Sequence, residues 1–278
     1  MLSNAKLNLY LHITGKLHSG YHKLDSLLIP ISVCDNIYIT LNDSNTTNVS
    51  LSGEFAHLVS NSDNLILKAI DAIYEHAKIP QKGVNVHLEK NIPVGAGLGG
   101  GSSDAATTLK IMNNLLGLNY CNEVLGKIGL KFGADIPFFI ENRPALVTGV
   151  GEIETLVDVP QLFILLIYPN VALSTKDVFT YAPFKYSHEM PIVNSHPNRE
   201  EFISFLNLCD NDLEINAIQL VPHISDILKI LSDQPGCLIS RMTGSGSTCF
   251  GIFNSNFELQ NAHNLLSNKY PQWWIKMI

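Results

Sequence analysis

The stretch PVGAGLGGGSSDAA, residues 93–106, sets glycine at 95, 97, 99, 100 and 101 directly ahead of Ser102 and Ser103. Glycine lets a backbone approach an anion closely, and a helix starting just beyond adds unpaired N–H groups and a partial positive charge. The chemistry open to such a stretch is phosphate binding. The cradle would run through Pro93, Val94, Gly95, Ala96, Gly97, Leu98, Gly99, Gly100 and Gly101 to Ser102 and Ser103. Either serine would bond phosphate directly, hold water around a metal ion, or serve as the N-cap of the helix that follows.

Three glycine-loop designs fail on spacing. Read from Gly95, the lysine position of a P-loop holds Gly101, and the next lysine is Lys110. The dinucleotide fingerprint GxGxxG is met by Gly95, Gly97 and Gly100. However, the acid expected roughly 20 residues later should end a second strand, and Glu123 falls in a helical pattern. A nicotinamide-dependent oxidoreductase is therefore the weakest alternative. Neither HRD nor DFG occurs, which removes the protein-kinase design.

The elements around the loop have to hold it. VNVHLEKNI reads as a strand with Val84, Val86 and Leu88 inward and Asn85, His87 and Glu89 outward. After the loop Ala105, Ala106, Leu109, Met112 and Leu116 recur at helical spacing, and Gly117 closes the helix. Strand, loop and patterned helix exclude a flexible linker. Farther upstream, KLNLYLHI alternates Leu7, Leu9, Leu11 and Ile13 with Lys6, Asn8, Tyr10 and His12, predicting a half-buried strand with an outward polar face. SVCDNIYITL and TNVSLSG read as further strands of an antiparallel sheet. SDNLILKAIDAIYEHAK reads as a helix capped by Ser62 or Asp63, with Leu65, Ile66, Ala69, Ile70 and Ile73 as its apolar stripe. Texture changes near residue 157. QLFILLIYPNVAL is a strand-length apolar run, VFTYAPFKYSHEMPIVNSHPNREE reads as irregular, helical patterns resume near Glu201, and MTGSGSTCFGIF is a second glycine-rich turn.

The chain has 278 residues, 46% hydrophobic and 15% charged, which predicts an ordered protein of two domains. A net charge of −7 argues against a nucleic-acid partner. Cys34, Cys121, Cys209, Cys237 and Cys249 form no CxxC pair, so neither a zinc site nor a disulfide framework is expected, and a reducing cytoplasm fits. No apolar run approaches the roughly 20 residues of a membrane span, and MLSNAKLNLYLHI does not read as a signal peptide.

The lysine-bearing first strand, Pro93 four residues ahead of Gly97-Leu98, and the late TGSGST turn, in that order, resemble the three motifs of the GHMP kinases. This family includes galactokinase, homoserine kinase, mevalonate kinase and phosphomevalonate kinase. The resemblance implies an α+β fold of two domains: a ribosomal-protein-like domain over 1–157 for ATP and catalysis, and a ferredoxin-like domain over 158–278 for substrate. It implies ATP and Mg²⁺ as cofactors, with no metal ligand assigned, and a monomer or weak homodimer. Asp135 in KFGADIPFF becomes the catalytic base, where spacing alone favours a helix cap. Lys6 becomes its cationic neighbour, and Gly244, Ser245 and Gly246 pack beside the glycine loop, where a plain hairpin turn is the alternative. Asn64 and Lys90 would flank the adenine; a helix-start asparagine and a surface lysine are the plainer readings. Asp104 would suit the helix dipole.

Within the family, GYH at 20–22, GADIPFFI and GVGE resemble the branch whose acceptor is a cytidyl-diphosphate methylerythritol. That implies Tyr21, His22 and Phe179 around the cytosine and Asn8 near the reacting hydroxyl. A homoserine or mevalonate type of kinase should not need the GYH loop. A catalytically silent relative should lack Lys6 or Asp135, and both are present.

Overall fold

The computed structural model describes residues 1–18, 20–60, 64–180, 186–191 and 198–278. Its first sheet grows from two long antiparallel strands, β1 (Leu2–Lys16) and β2 (His22–Leu41). β3 (Asn48–Ser52), β4 (Val84–Glu89), β5 (Ala145–Gly149) and β6 (Glu152–Leu156) complete it in the order β3-β4-β2-β5-β6, with β1 also on β2. The expected all-antiparallel pairing needs one correction. β3 runs parallel to β4 because a helix, α1 (Leu65–Ala77), carries the chain back between them. The N-cap of α1 is Asn64, whose side chain accepts from the Ile66 N–H at 2.9 Å; Ser62 and Asp63 lie outside the described residues. The loop helix α2 (Gly100–Leu115) follows β4, then α3 (Asn122–Leu130) and α4 (Ile136–Glu141). Ile66, Ile70 and Ile73 of α1 and Ala105, Leu109 and Met112 of α2 share one core with Ile37, Val86 and Leu88 of the sheet.

The second sheet has β7 (Phe163–Tyr168), β8 (Cys237–Met242), β9 (Cys249–Phe253) and β10 (Trp274–Met277) in the order β10-β7-β9-β8, all neighbours antiparallel. α5 (Thr175–Thr180), α6 (Arg199–Leu206), α7 (Glu214–Leu220) and α8 (His223–Ser232) lie between β7 and β8, and α9 (Asn256–Lys269) joins β9 to β10. Numbered within this sheet, the order is 4-1-3-2, the ferredoxin-like arrangement. Two boundaries differ from expectation: helix returns at Arg199, and α5 converts part of the stretch read as irregular.

β1 belongs to both layers. Leu7 and Leu9 pack with Ile164, Leu166, Phe250 and Ile252 of the second sheet, and Leu11 and Ile13 pack with Leu165, Ile167 and Ile224. The predicted outward polar face of β1 is wrong, since Lys6, Asn8, Tyr10 and His12 are all buried. One cause is a β-bulge at Leu9. Asn8 stands opposite Leu28 while Tyr10 stands opposite Leu27, so the alternation of faces reverses there. Lys6, Asn8 and Leu11 consequently share one side, with their β2 neighbours Ser26 and Leu28. Tyr10 turns instead to Asp25, donating to its Oδ1 at 3.0 Å. The other cause is long-range cover. Leu11 N–H donates to Asp210 O at 3.0 Å, Asp212 N–H to Leu11 O at 2.8 Å, and Ile13 N–H to the Asp212 carboxylate at 2.7 Å.

The layers are also clasped by Arg241, buried on β8, which donates to Leu9 O at 2.7 Å, to Leu206 O at 2.9 Å and to Cys209 O. Arg241→Met keeps the stem and leaves those carbonyls without their donor. Each unsatisfied buried group costs about 1–3 kcal/mol, so urea unfolding should show a loss of about 3 kcal/mol; an unchanged midpoint would deny the clasp.

Candidate active site

The glycine loop is held by its carbonyls. Leu173 N–H donates to Gly95 O at 2.9 Å, Thr248 N–H to Ala96 O at 3.2 Å and Lys6 N–H to Leu98 O at 3.0 Å. Gly95, Gly97 and Gly99 have φ of 67°, 78° and 71°, a region that L side chains avoid. Space forbids side chains there as well. A Cβ on Gly97 would lie 2.6 Å from Thr243 O, and one on Gly99 would lie 2.7 Å from the Phe139 ring. Gly244, Ser245 and Gly246 form the connection between β8 and β9 and also wall the loop, with Gly246 O 2.9 Å from that same Gly97 position.

The N-cap of α2 is Gly99, so neither serine caps the helix. Ser103 is buried; its hydroxyl donates to Asn4 O at 2.6 Å and accepts from Ser3 Oγ at 2.8 Å, tying α2 to β1. Ser102 faces the cleft, beside the first-turn N–H groups that no helix can satisfy internally.

That cleft has a volume of about 1330 Å³. Lys6, Asn8, Ser26 and Asp135 line it together with Gly97, Gly99 and Ser102. Asp135 occupies the N-cap position of α4 but makes no side-chain capping bond, which leaves its carboxylate to the cleft. Lys6 is buried and donates to Asn8 Oδ1. Burial pushes the Lys6 ammonium pKa down, and the Asp135 charge works against that shift. The arrangement sets a partly exposed carboxylate and a desolvated ammonium near a phosphate-sized cradle, which suits moving a phosphoryl group onto a hydroxyl.

Aromatic groups gather in the same cleft. His22 and Phe179 stack with centroids 5.3 Å apart and planes 27° apart. Tyr21, 68% exposed, and Tyr186, 51% exposed, also line it. Burial, then nearby Lys16, pushes the His22 pKa down. Tyr186 had no signal in the sequence beyond its type. Its position is set from behind: Ser187 N–H donates to Ile13 O at 3.0 Å, and Met190 N–H to Asp25 Oδ2 at 2.6 Å.

Lys90 is no surface lysine. Its ammonium is buried 2.5 Å from Asp35 Oδ2 and 2.7 Å from Asp104 Oδ2, and Asp35 Oδ1 accepts from the N–H groups of Asn91 and Ile92 at 2.6 and 2.8 Å. Lys90 thus braces the loop, and Asp104 is its partner rather than a dipole ornament. Asn64 lines the cleft while its oxygen caps α1. Among the described residues no group of three His, Cys, Asp or Glu could hold a metal ion, and no helix is long and apolar enough to cross a membrane.

Family models agree with the geometry. The GHMP kinases N-terminal domain matches residues 64–143 and the GHMP kinases C-terminal domain matches residues 196–272. The chain belongs to the GHMP kinases. A 4-diphosphocytidyl-2-C-methyl-D-erythritol kinase from Agrobacterium fabrum is 38% identical over 97% of this chain and 92% of its own length. A crystal structure of 4-(cytidine 5'-diphospho)-2C-methyl-D-erythritol kinase is 28% identical, with a TM-score of 0.79, over 100% of this chain and 98% of the other. The homoserine kinase of Cytophaga hutchinsonii shares the fold at 16% identity, with a TM-score of 0.71, over 99% of this chain and 91% of its own. As a GHMP kinase, the protein draws its phosphoryl group from ATP.

Burial pushes the Asp104 carboxyl up to about 7, with the Lys90 charge opposing. A carboxyl raised in the fold contributes stability that is present at low pH and lost as pH rises through its folded value. Asp104→Asn should therefore gain on the natural protein in urea unfolding between about pH 4 and about pH 7, with no further gain above that. A pH-independent difference would contradict the assignment.

Proposed function

We propose that this GHMP kinase transfers the γ-phosphoryl group of ATP to the 2-hydroxyl of 4-diphosphocytidyl-2-C-methyl-D-erythritol, releasing ADP, a step in the non-mevalonate route to isoprenoid precursors. The observation that carries the reading is the coincidence, in one cleft, of the loop with its carbonyls tied back and the His22–Phe179 ring pair beside Tyr21. The first cradles a triphosphate; the second suits a planar base.

Asp135 acts as the base. Its carboxylate accepts the proton of the attacking hydroxyl, and phosphoryl transfer otherwise needs positioning and charge neutralisation. Lys6 holds the hydroxyl oxygen and favours the ionised Asp135, and Asn8 keeps Lys6 in place. The N–H groups of Gly100, Gly101 and Ser102 take the phosphate oxygens at the helix N-terminus. A nucleotide-bound Mg²⁺ fits this cradle, because oxygen ligands come from the phosphates and Ser102 lines the cleft. Its chemistry is neutralisation of phosphate charge. Asn64 and Lys90, which both line the cleft, would flank the adenine, and Lys90 also braces the strand before the loop through Asp35 and Asp104. Residues 1–157 carry the nucleotide and the base, and residues 158–278 close on the acceptor. The five free thiols suit a reducing cytoplasm.

ADP release with ATP, Mg²⁺ and the cytidyl-diphosphate acceptor tests the reading. The natural protein should turn over, and folded Asp135→Asn should lose roughly a hundredfold or more. Turnover of homoserine or mevalonate instead would refute the acceptor and keep the family. Phe179→Ala should raise KM for the acceptor roughly tenfold through lost stacking, with KM for ATP unchanged. Equal rises in both would remove Phe179 from the base pocket.

A further inference from the structure

Asn8 carries an amide whose two ends differ in charge, and its orientation decides what Lys6 meets. The bulge at Leu9 turns the Tyr10 carbonyl toward Ser26, whose hydroxyl donates to it at 2.5 Å. A carbonyl only accepts, so the Ser26 proton is committed and the remaining lone pairs of Oγ can only accept. Asn8 Nδ2 supplies the donor at 2.8 Å, which leaves Asn8 Oδ1 as the atom facing the Lys6 ammonium. The Asn8 backbone is fixed independently, its N–H donating to Thr243 Oγ1 at 2.8 Å. Ser26, Asn8 and Thr243 are all buried, so water does not offer Asn8 a second orientation cheaply.

We infer that Ser26 is a positioning residue, reading the direction of the Tyr10 carbonyl and imposing it on the Asn8 amide so that an oxygen, never an NH₂, faces Lys6. The inference rests on the catalytic role assigned to Lys6 above. Without the Ser26 hydroxyl the amide is free to rotate. An NH₂ facing Lys6 disfavours the ammonium and lowers the pH at which it loses its proton. The charged group that faces Lys6 is Asp135, from the turn before α4. Asn8 of β1, Ser26 of β2 and Thr243 of the β8–β9 connection bring neutral partners, and the glycine loop brings backbone.

The test is the pH profile of acceptor phosphorylation. Ser26→Ala should lower kcat roughly tenfold, leave KM for ATP unchanged, and move the alkaline limb to lower pH. Ser26→Thr, which keeps the hydroxyl, should restore both. An alkaline limb that stays in place in folded Ser26→Ala overturns the inference. Lys6→Ala separates the two levels: if it remains active, the catalytic reading of Lys6 fails; if it is dead while Ser26→Ala keeps the natural profile, only the role of Ser26 fails. A measurement on the unsubstituted protein covers the case of a variant that does not fold. Nuclear Overhauser contacts from the Asn8 side-chain amide protons should be stronger to the Ser26 methylene protons than to the Lys6 ε-methylene protons; the reverse order overturns the inference.

Discussion

Burying an ammonium is among the costliest acts a fold can perform, and the Lys6 side chain is buried in the wall of the cleft against the glycine loop. Much of the surrounding architecture exists to make that tolerable. Its charge is answered by Asp135 across the cleft and by the Asn8 oxygen beside it. Its backbone N–H is spent on Leu98 O, so the residue that carries the charge is also the peg on which the phosphate loop hangs. Charge and cradle are therefore fixed to one another by a single residue, and neither can shift alone.

The strand that carries Lys6 is the second dependency. β1 pairs with β2 along its length and gives its apolar side chains to the core of the second sheet. A plain strand could not send Lys6 and Asn8 to the cleft and also send Tyr10 and His12 to the opposite side. The one-residue bulge at Leu9 accomplishes both, and the freed Tyr10 carbonyl becomes the reference direction for Ser26. Two distinct polar networks, one chemical and one structural, thus sit back to back on one strand.

The parts legible in the sequence were those with local causes. Glycine spacing marked the loop, the apolar stripe of α1 and the strand-loop-helix order around residue 95 were readable, and the family resemblance supplied Asp135, Lys6 and the GYH loop. What escaped was set by distant partners. Nothing near Lys90 in sequence announces Asp35 or Asp104 as its partners. The burial of Tyr10 and His12 depends on His188, Phe205 and Asp210, nearly two hundred positions on, and a bulge leaves no mark in an alternation of leucines. Ser102 and Ser103 look equivalent as text. They part company because Ser103 meets Ser3 and Asn4, which only the docking of α2 on β1 reveals.

The loop is gripped by backbone groups: the N–H of Lys6, of Leu173 and of Thr248. A main-chain donor is indifferent to the side chain it carries, so the grip constrains conformation and leaves composition almost unrestricted outside the glycines. Sequence drift can then rebuild the acceptor end while the nucleotide end stays in register. A homoserine kinase that shares only 16% of its residues with this chain has the same fold over 91% of its length. Around the His22–Phe179 ring pair the side chains themselves line the cleft, so there composition is the constraint and the backbone only its support.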